Sequence, residues 1–281
     1  MEGRRRRLNA DGVSDPATRA SLLVLERLVC AAAKEELMPR FGVSGPSIKG
    51  DGSLVTAADT GMQSRLAASL FEYWPQFPLI GEEMSEAEQQ AALYAGGSAW
   101  CLDPLDGTTN FVNGLPFFAV SLALLRHGQP VLGLVYDPLR QECFTAIRGG
   151  GAWLNGEPLG ATAAHVPALR RCVAVVDFKR LQPRLASRLG VDPPYGSQRS
   201  LGACALDWCW LAAGRVHLYL HGGQKLWDYA AGSLILQEAG GTAMTLGGGP
   251  IEYDSLASSS AVAARTAHLY EAWRAWITHN T

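Results

Sequence analysis

The stretch DPLDGTTNF, residues 103–111, carries two carboxylates three positions apart, Asp103 and Asp106, and then runs into Gly-Thr-Thr-Asn. Like charges this close repel each other unless a positive partner lies between them. Pro104 lacks a backbone donor and favours an extended residue before it, so we expect the two acids to project from a kinked loop toward a common point. The sequence therefore predicts a cation at this loop.

The chemistry around the two acids indicates which cation fits. The backbone carbonyl of Leu105 lies between them along the chain, and an all-oxygen donor set suits Mg²⁺ or Mn²⁺ rather than zinc. Gly107 followed by Thr108 and Thr109 can open a helix whose free N–H groups face an anion. The segment thus predicts a divalent metal beside a phosphate.

Other acids follow short apolar runs elsewhere in the chain. FPLIGEE (77–83) and AWCLDP (99–104) are predicted strands that end in carboxylates, and the first supplies Glu82 and Glu83. Asp228 stands at the start of an apolar helix, where a capping role alone would explain it. Each feature by itself has an ordinary explanation, such as a solvated turn or a surface acid. Their combination favours a metal and phosphate site.

Composition limits the classes of function. The 281 residues have a formal net charge of −2, with 48% hydrophobic and 18% charged residues, so no basic surface for nucleic acid is indicated. Six cysteines without zinc spacing indicate reduced thiols in a cytoplasmic protein. The longest apolar run, 115–125, is too short to cross a bilayer. Residues 1–18, with the arginine run Arg4–Arg7, are predicted to be a disordered tail.

Periodicity predicts a layered arrangement of helices and strands. Helices are expected over 21–38 and 56–74, with Asp59 or Thr60 capping the second. Apolar runs separated by turn residues predict an antiparallel meander of strands at 117–125, 131–137 and 143–148. Alternating strands and helices then follow at 172–178, 201–213, 215–221 and 229–239, which is typical of α/β layering. We place a soft boundary near residue 160, between an N-terminal α+β part with the metal site (19–160) and a C-terminal α/β part (161–281).

The motifs together resemble those of a known family. In order and spacing, five segments of this chain resemble the signature motifs of the inositol monophosphatase family. They are GEE (81–83), DPLDGTTNF (103–111), WDYAAG (227–232), LVTAAD (54–59) and RSLGACA (199–205). Several separate motifs in register are more specific than any one of them. The resemblance implies a layered αβαβα sandwich, commonly a homodimer, that is sensitive to lithium and hydrolyses a small inositol monophosphate-like ester without a phosphoenzyme.

The resemblance also implies roles for individual residues. The implied ligands of two or three Mg²⁺ ions, with Mn²⁺ as an alternative, are Glu82, Asp103, the carbonyl of Leu105, Asp106 and Asp228. The implied catalytic residues are Asp59, Glu82 and Thr108, which orient and deprotonate the attacking water. The implied substrate contacts are Asp106, Gly107, Thr108, Arg199, Gly202, Ala203, Cys204, His221 and Lys225.

The substrate itself stays open at this stage. Inositol-selective members carry a glutamate seven residues before the metal aspartate, whereas this chain has His221. Lys225 and Arg199 are cations that could hold a second phosphate, as in a 3'(2'),5'-bisphosphate nucleotidase or a fructose-1,6-bisphosphatase-type enzyme. A metal-binding interaction protein without catalysis is a further alternative.

A second phosphatase chemistry is disfavoured. Enzymes that form an aspartyl phosphate carry two aspartates two positions apart, whereas Asp103 and Asp106 are three apart. Outside the motifs, Asp207 is predicted to be a buried, hydrogen-bonded structural acid, and Trp208 and Trp210 are predicted to be core residues.

Overall fold

A computed structural model of the chain describes residues 15–43, 45–50, 54–160 and 167–281. The arginine run Arg4–Arg7 and most of the predicted tail lie outside these ranges. Thr18, at the end of the predicted tail, caps the first helix, because its Oγ1 accepts a hydrogen bond from the Ser21 N–H at 3.2 Å. Within the described residues, no helix has the length and apolar character needed to cross a membrane.

Two long helices form the first layer. Helix α1 spans Arg19–Glu36 and α2 spans Ala57–Tyr73, close to the predicted bounds. The prediction that Asp59 or Thr60 caps α2 is wrong, since Thr56 is the N-cap residue. Asp59 lies one turn inside α2 and accepts hydrogen bonds from the Thr56 N–H (2.7 Å) and hydroxyl (2.6 Å). This reciprocal capping fixes a carboxylate at the start of α2.

A seven-stranded sheet follows in the order β3-β4-β5-β6-β7-β8-β9. Its strands are β3 (Leu79–Gly81), β4 (Ser98–Asp106), β5 (Ala119–Arg126), β6 (Gln129–Asp137), β7 (Glu142–Ile147), β8 (Gly151–Leu154) and β9 (Glu157–Leu159). The predicted meander is confirmed, because β4 to β9 pair with their sequence neighbours antiparallel, whereas β3 and β4 are parallel. A separate pair of short antiparallel strands is formed by β1 (Ser47–Ile48) and β2 (Leu54–Val55).

The predicted kinked loop at the two aspartates is instead an irregular strand end. Strand β4 continues to Asp106, and its register with β5 shifts between Asp103 and Asp106. Pro104 cannot donate to the ladder, and bulges are common where a strand lacks a donor. The bulge places one more residue on β4 than on β5 and so re-aims both carboxylates.

A five-stranded sheet forms the second half, in the order β11-β10-β12-β14-β13. Its strands are β10 (Val173–Asp177), β11 (Ser197–Arg199), β12 (Leu218–Gln224), β13 (Thr242–Met244) and β14 (Ser259–Ala264). The remaining helices are α3 (Glu86–Tyr94), α4 (Thr108–Val112), α5 (Pro183–Val191), α6 (Cys204–Ala212), α7 (Leu226–Glu238) and α8 (Ala267–Asn280). Strand β10 is parallel to both β11 and β12.

Three apolar cores separate five layers. The first core lies between α1, α2 and the seven-stranded sheet, the second holds α6 and α7 between the two sheets, and the third packs α5 and α8 on the five-stranded sheet. The predicted αβαβα sandwich is therefore confirmed. Helix α7 approaches the first sheet closely, since a Cβ at Gly133 would lie 2.8 Å from the Ala231 carbonyl oxygen. The division into two parts near residue 160 stays a prediction, because α7 from the second half packs on strands of the first.

Candidate metal and phosphate site

The structure brings four of the predicted ligands together from separate elements. Glu82 follows β3, Asp103 and Asp106 lie at the end of β4, and Asp228 lies in the first turn of α7. Burial, followed by the charges of Glu82, Asp106 and Asp228, raises the pKa of Asp103 well above its usual value. Burial, followed by the charge of Asp228, raises the pKa of Asp106 in the same way. These carboxylates are therefore close enough to repel one another.

The backbone holds three of these carboxylates through one oxygen each. Asp103 Oδ1 accepts from the Leu105 N–H at 3.0 Å, and Asp106 Oδ2 accepts from the Ala205 N–H at 2.7 Å. Asp228 Oδ2 accepts from the Lys225 N–H at 2.8 Å, which places Asp228 inside α7 rather than at its cap position. One oxygen on each side chain is thus fixed in orientation by a backbone N–H.

A second pair of side chains lies beside this cluster. The Thr108 hydroxyl is 3.0 Å from Asp59 Oδ1 and 3.1 Å from the Leu105 carbonyl oxygen. Asp59 is fully buried, and this burial raises its pKa despite the hydrogen bonds from Thr56 and Thr108. The pKa of Asp59 is therefore shifted in the direction expected of a general base.

The turn that starts α4 depends on a glycine. Gly107 has φ of 90°, and a Cβ there would lie 3.1 Å from both the Ala203 Cβ and the Phe117 carbonyl oxygen. A side chain would be strained at this φ and would crowd the neighbouring turn. Asn110 ties the two turns together, because its Nδ2 donates to the Phe117 carbonyl at 2.7 Å and the Leu201 carbonyl at 2.8 Å.

The predicted contacts Gly202, Ala203 and Cys204 form the turn into α6. Gly202 has φ of +83° and packs against the Asn110 side chain, and Ala203 is buried against Gly107. Burial raises the pKa of the Cys204 thiol well above its usual value, so this cysteine is a neutral thiol, 3.2 Å from the Tyr219 hydroxyl. The structure therefore places this turn next to Gly107 and, through the Ala205 N–H, next to Asp106.

Lys49 is a site residue that the sequence reasoning missed. Its Nζ lies 2.9 Å from Glu82 Oε1 and 2.6 Å from Glu83 Oε1. Burial opposes its charge, but the two glutamates hold the pKa of Lys49 above its ordinary value. Burial raises the pKa of Glu83 to about 6. A signal was available, since two adjacent acids need a counter-charge and Lys49 is the one basic residue between Arg40 and Arg65.

The cluster fits a metal in its chemistry but is not a closed coordination shell. In the part of the chain that the structure describes, no three histidine, cysteine, aspartate or glutamate side chains already surround a common metal position. Lys49 is one reason why the coordination shell is not closed, because its ammonium group donates a hydrogen bond to the Glu82 carboxylate. The mutual repulsion of the acids is nevertheless relieved by a hard cation, and every donor is an oxygen. Carboxylate side chains reorient readily around an ion, so the oxygen donors of this cluster fit a hard divalent cation.

Two of the three predicted contacts with basic side chains, His221 and Arg199, have hydrogen-bond partners within the protein. His221 is only 4% exposed; its Nε2 is 2.9 Å from Asp177 Oδ2, and its Nδ1 accepts from the Gly223 N–H at 3.1 Å. Arg199 is exposed and donates to the Ser197 hydroxyl at 2.7 Å. Lys225 is exposed at the N-cap of α7. Direct contact of these side chains with a substrate stays a prediction.

The interior of α6 differs in part from expectation. Asp207 is buried as predicted, but among the described residues its Oδ1 has no hydrogen-bond partner, so the prediction of a hydrogen-bonded acid fails at that oxygen. Burial, followed by the charges of Asp106 and Asp177, raises the pKa of Asp207 well above its usual value. Trp208 is a fully buried core residue, whereas Trp210 is half-buried and lies between Arg140 and Arg215, each 5.3 Å from its ring centre.

Comparison with known proteins agrees with the fold and the motifs. A family model described as the inositol monophosphatase family matches residues 19–278. Inositol monophosphatase 1 of Solanum lycopersicum is 37% identical over 236 residues, which cover 80% of this chain and 82% of that protein. Nus factor SuhB of Pasteurella multocida is 38% identical over 221 residues, which cover 78% and 80%. The crystal structure of the extragenic suppressor protein suhB from Bartonella henselae has a TM-score of 0.80 at 28% identity, covering 93% of this chain and all of that one.

An αβαβα phosphatase-type fold with an acidic site is thus matched along nearly the whole chain. The protein belongs to the inositol monophosphatase family.

Proposed function

We propose that the protein hydrolyses a small phosphate monoester, of the inositol monophosphate kind, in a Mg²⁺-dependent reaction that releases an alcohol and inorganic phosphate. The observation that carries the proposal is the convergence of Glu82, Asp103, Asp106 and Asp228 beside the Asp59–Thr108 pair. The four acids come from the ends of two strands and the first turn of one helix. Acids that repel one another at a strand end, next to a glycine turn, form a site for a cation and an anion together.

The residues that would hold the metal are oxygen donors. They are Glu82, Asp103, the carbonyl of Leu105, Asp106 and Asp228. When bound, Mg²⁺ or Mn²⁺ would lower the pKa of water and offset the charge of the phosphate. Because four carboxylates and a phosphate dianion carry about six negative charges, three divalent ions would neutralise the site and two would leave it with a small negative charge.

The chain's own side chains would orient the reaction. The Thr108 hydroxyl, hydrogen-bonded to Asp59, would accept a proton from the attacking water and pass its own to the Asp59 carboxylate. Glu82, directly after β3, would hold the same water. The phosphate would bind at the Gly107–Thr108 turn and the turn of residues 202–204, because backbone N–H groups there adjoin the acidic cluster. The five-residue helix α4 contributes this turn rather than a long helix dipole.

We infer a cytoplasmic homodimer, inhibited by lithium, acting on a small phosphorylated metabolite. A bisphosphate substrate, nucleotide or sugar, is the alternative activity. The name Nus factor, borne by one relative, keeps a non-catalytic role as the alternative from another class.

A phosphate-release assay separates these possibilities. The protein is incubated with inositol 1-phosphate, glycerol 2-phosphate, 3',5'-bisphosphoadenosine and fructose 1,6-bisphosphate, with Mg²⁺ or with EDTA. We expect Mg²⁺-dependent turnover that is lost in Asp106→Asn and kept in Asp192→Asn, a matched change at an exposed helix end. No turnover on any ester by the wild-type protein would contradict the proposal and favour an interaction protein.

A further inference from the structure

Three parallel strands of the five-stranded sheet end beside the site. Strands β10, β11 and β12 are parallel neighbours, so their carboxyl ends meet at one edge of the five-stranded sheet. Strand β12 leads to α7 and Asp228, and β11 leads to the turn and to α6, which holds Asp106. Ligands of open α/β sheets bind at this edge. Strand β10 ends there too, at Asp177, and is followed by a single 3-10 turn, Phe178–Arg180.

Asp177 organises this third strand end. Its Oδ1 accepts from the Lys179 N–H at 2.9 Å, and its Oδ2 accepts from Arg180 Nη1 at 2.7 Å and His221 Nε2 at 2.9 Å. His221 Nδ1 accepts from the Gly223 N–H, so the imidazole proton is on Nε2, directed at Asp177. Burial alone would raise the pKa of Asp177, but the hydrogen bonds from His221 and Arg180 hold it below its usual range. His221 thus fixes Asp177, and Asp177 fixes Arg180.

The backbone holds the Arg180 turn against β12. A Cβ at Gly222 would lie 1.8 Å from the Arg180 carbonyl oxygen, so only glycine permits this approach. A Cβ at Gly223 would lie 3.9 Å from Arg180 Cδ. The arginine stem therefore lies along the end of β12, directly before α7.

The guanidinium of Arg180 is both exposed and close to the acidic cluster. The side chain is 52% exposed. Its stem packs on Gly223 at the end of β12, and β12 leads directly into α7 and Asp228, so the guanidinium lies at the same edge of the sheet as the acidic cluster. Asp177 takes one of the donors of a group that has five, arranged as a fork suited to carboxylate or phosphate.

We propose that Arg180 is a specificity-determining residue that binds a second anionic group of the substrate, a carboxylate or a second phosphate, and that His221 is a positioning residue that acts through Asp177. The inference rests on the proposed function, because the first phosphate of the substrate binds at the acidic cluster. It also changes the expected role of His221, whose two ring nitrogens bond within the protein rather than to a ligand.

The test uses pairs of esters that differ by one anionic group. Glycerol 2-phosphate and 2-phosphoglycerate differ by a carboxylate, and fructose 1-phosphate and fructose 1,6-bisphosphate differ by a phosphate. We expect Arg180→Gln to raise KM at least about tenfold for the doubly anionic member of one pair, with kcat changed less than about threefold and the singly anionic member unaffected. The pair that responds identifies the second group. Arg184→Gln, an exposed arginine on α5, is the matched control.

The role of His221 is tested by two replacements. His221→Phe keeps a ring but loses the donor to Asp177, so it should raise the same KM in the same direction as Arg180→Gln. His221→Gln keeps an N–H donor and should restore much of the wild-type KM. If both replacements behave alike, the positioning role of His221 is overturned.

Failure of the inference is distinguishable from failure of the proposed function. If the wild-type protein hydrolyses the esters and Arg180→Gln changes no KM ratio, the inference is overturned and the proposed function stands. If the wild-type protein hydrolyses none, the proposed function fails, and calorimetric binding of fructose 1-phosphate and fructose 1,6-bisphosphate decides the inference. Arg180→Gln should then weaken binding of fructose 1,6-bisphosphate alone. Equal weakening of both ligands, or no weakening of either, overturns the inference. Thermal unfolding of each variant checks that it is folded.

Discussion

Replacing Thr108 with valine tests how far one hydroxyl supports the site. Valine keeps the shape of threonine but removes the hydroxyl that lies 3.0 Å from Asp59 Oδ1 and 3.1 Å from the Leu105 carbonyl. A hydrogen bond to a charged group contributes about 1.5–3 kcal/mol, and each 1.4 kcal/mol is about a factor of ten. We therefore expect kcat for phosphate release to fall about 10- to 100-fold. The free energy of unfolding should fall by about 1–2 kcal/mol, because Asp59 stays buried with its Thr56 donors.

Two companion variants control for shape and position. Thr109→Val makes the same change one residue along, at an exposed position, and should leave kcat and unfolding unchanged. Thr108→Ser keeps the hydroxyl and should retain most of the activity. Phosphate release is measured at saturating ester and Mg²⁺, and stability is measured by urea unfolding. A Thr108→Val protein with the same kcat as Thr109→Val would refute the assignment of Asp59 and Thr108 to the reaction.

Two further predictions concern stability. Burial raises the pKa of Glu83 to about 6. Burial and the charge of Glu82 raise the pKa of Asp228 to about 7. The stability that these two protonated carboxyl groups give to the folded protein is therefore complete below about pH 4 and is lost as pH rises through these values. Metal-free protein should lose stability in urea between about pH 4 and pH 7, by about 2 kcal/mol from Glu83 alone, and Mg²⁺ should restore it; stability independent of pH would contradict this. Gly133→Ala should lower the free energy of unfolding by about 1–3 kcal/mol, because its Cβ would lie 2.8 Å from the Ala231 carbonyl oxygen. Gly190→Ala has open space around its Cβ and should be neutral or stabilising. Equal effects of the two changes would rule out close packing of α7 on the sheet.

Much of the fold could be predicted from the sequence because its signals are local. Helix α1 and the meander β5–β7 each contain long apolar repeats bounded by proline or turn residues, and the structure confirms them. Helix α5 was missed because only Leu185 and Leu189 anchor it. Strand β14 was missed because its small residues, SSAVAA, give little strand signal before they are buried between β12 and β13.

The site was predictable only where a motif carried it. The motifs named the four carboxylates, and the structure places them together. Partners that arise from distant pairing were not predictable by spacing: Lys49 reaches Glu82 across 33 residues, and Asp177 meets His221 because β10 and β12 are neighbours in a parallel sheet. The capping of α2 was assigned to the wrong residue because Thr56 and Asp59 both carry capping side chains.

Binding of Mn²⁺ to the metal-free protein, followed by electron paramagnetic resonance, tests the central claim most directly. We expect saturable binding of two or three Mn²⁺ ions, which Mg²⁺ displaces. Asp106→Asn and Asp228→Asn should each weaken this binding at least about tenfold, and Asp192→Asn should leave it unchanged. Wild-type protein that binds no Mn²⁺, or variants that bind it as tightly as the wild type, would contradict the assignment of this acidic cluster as a metal site.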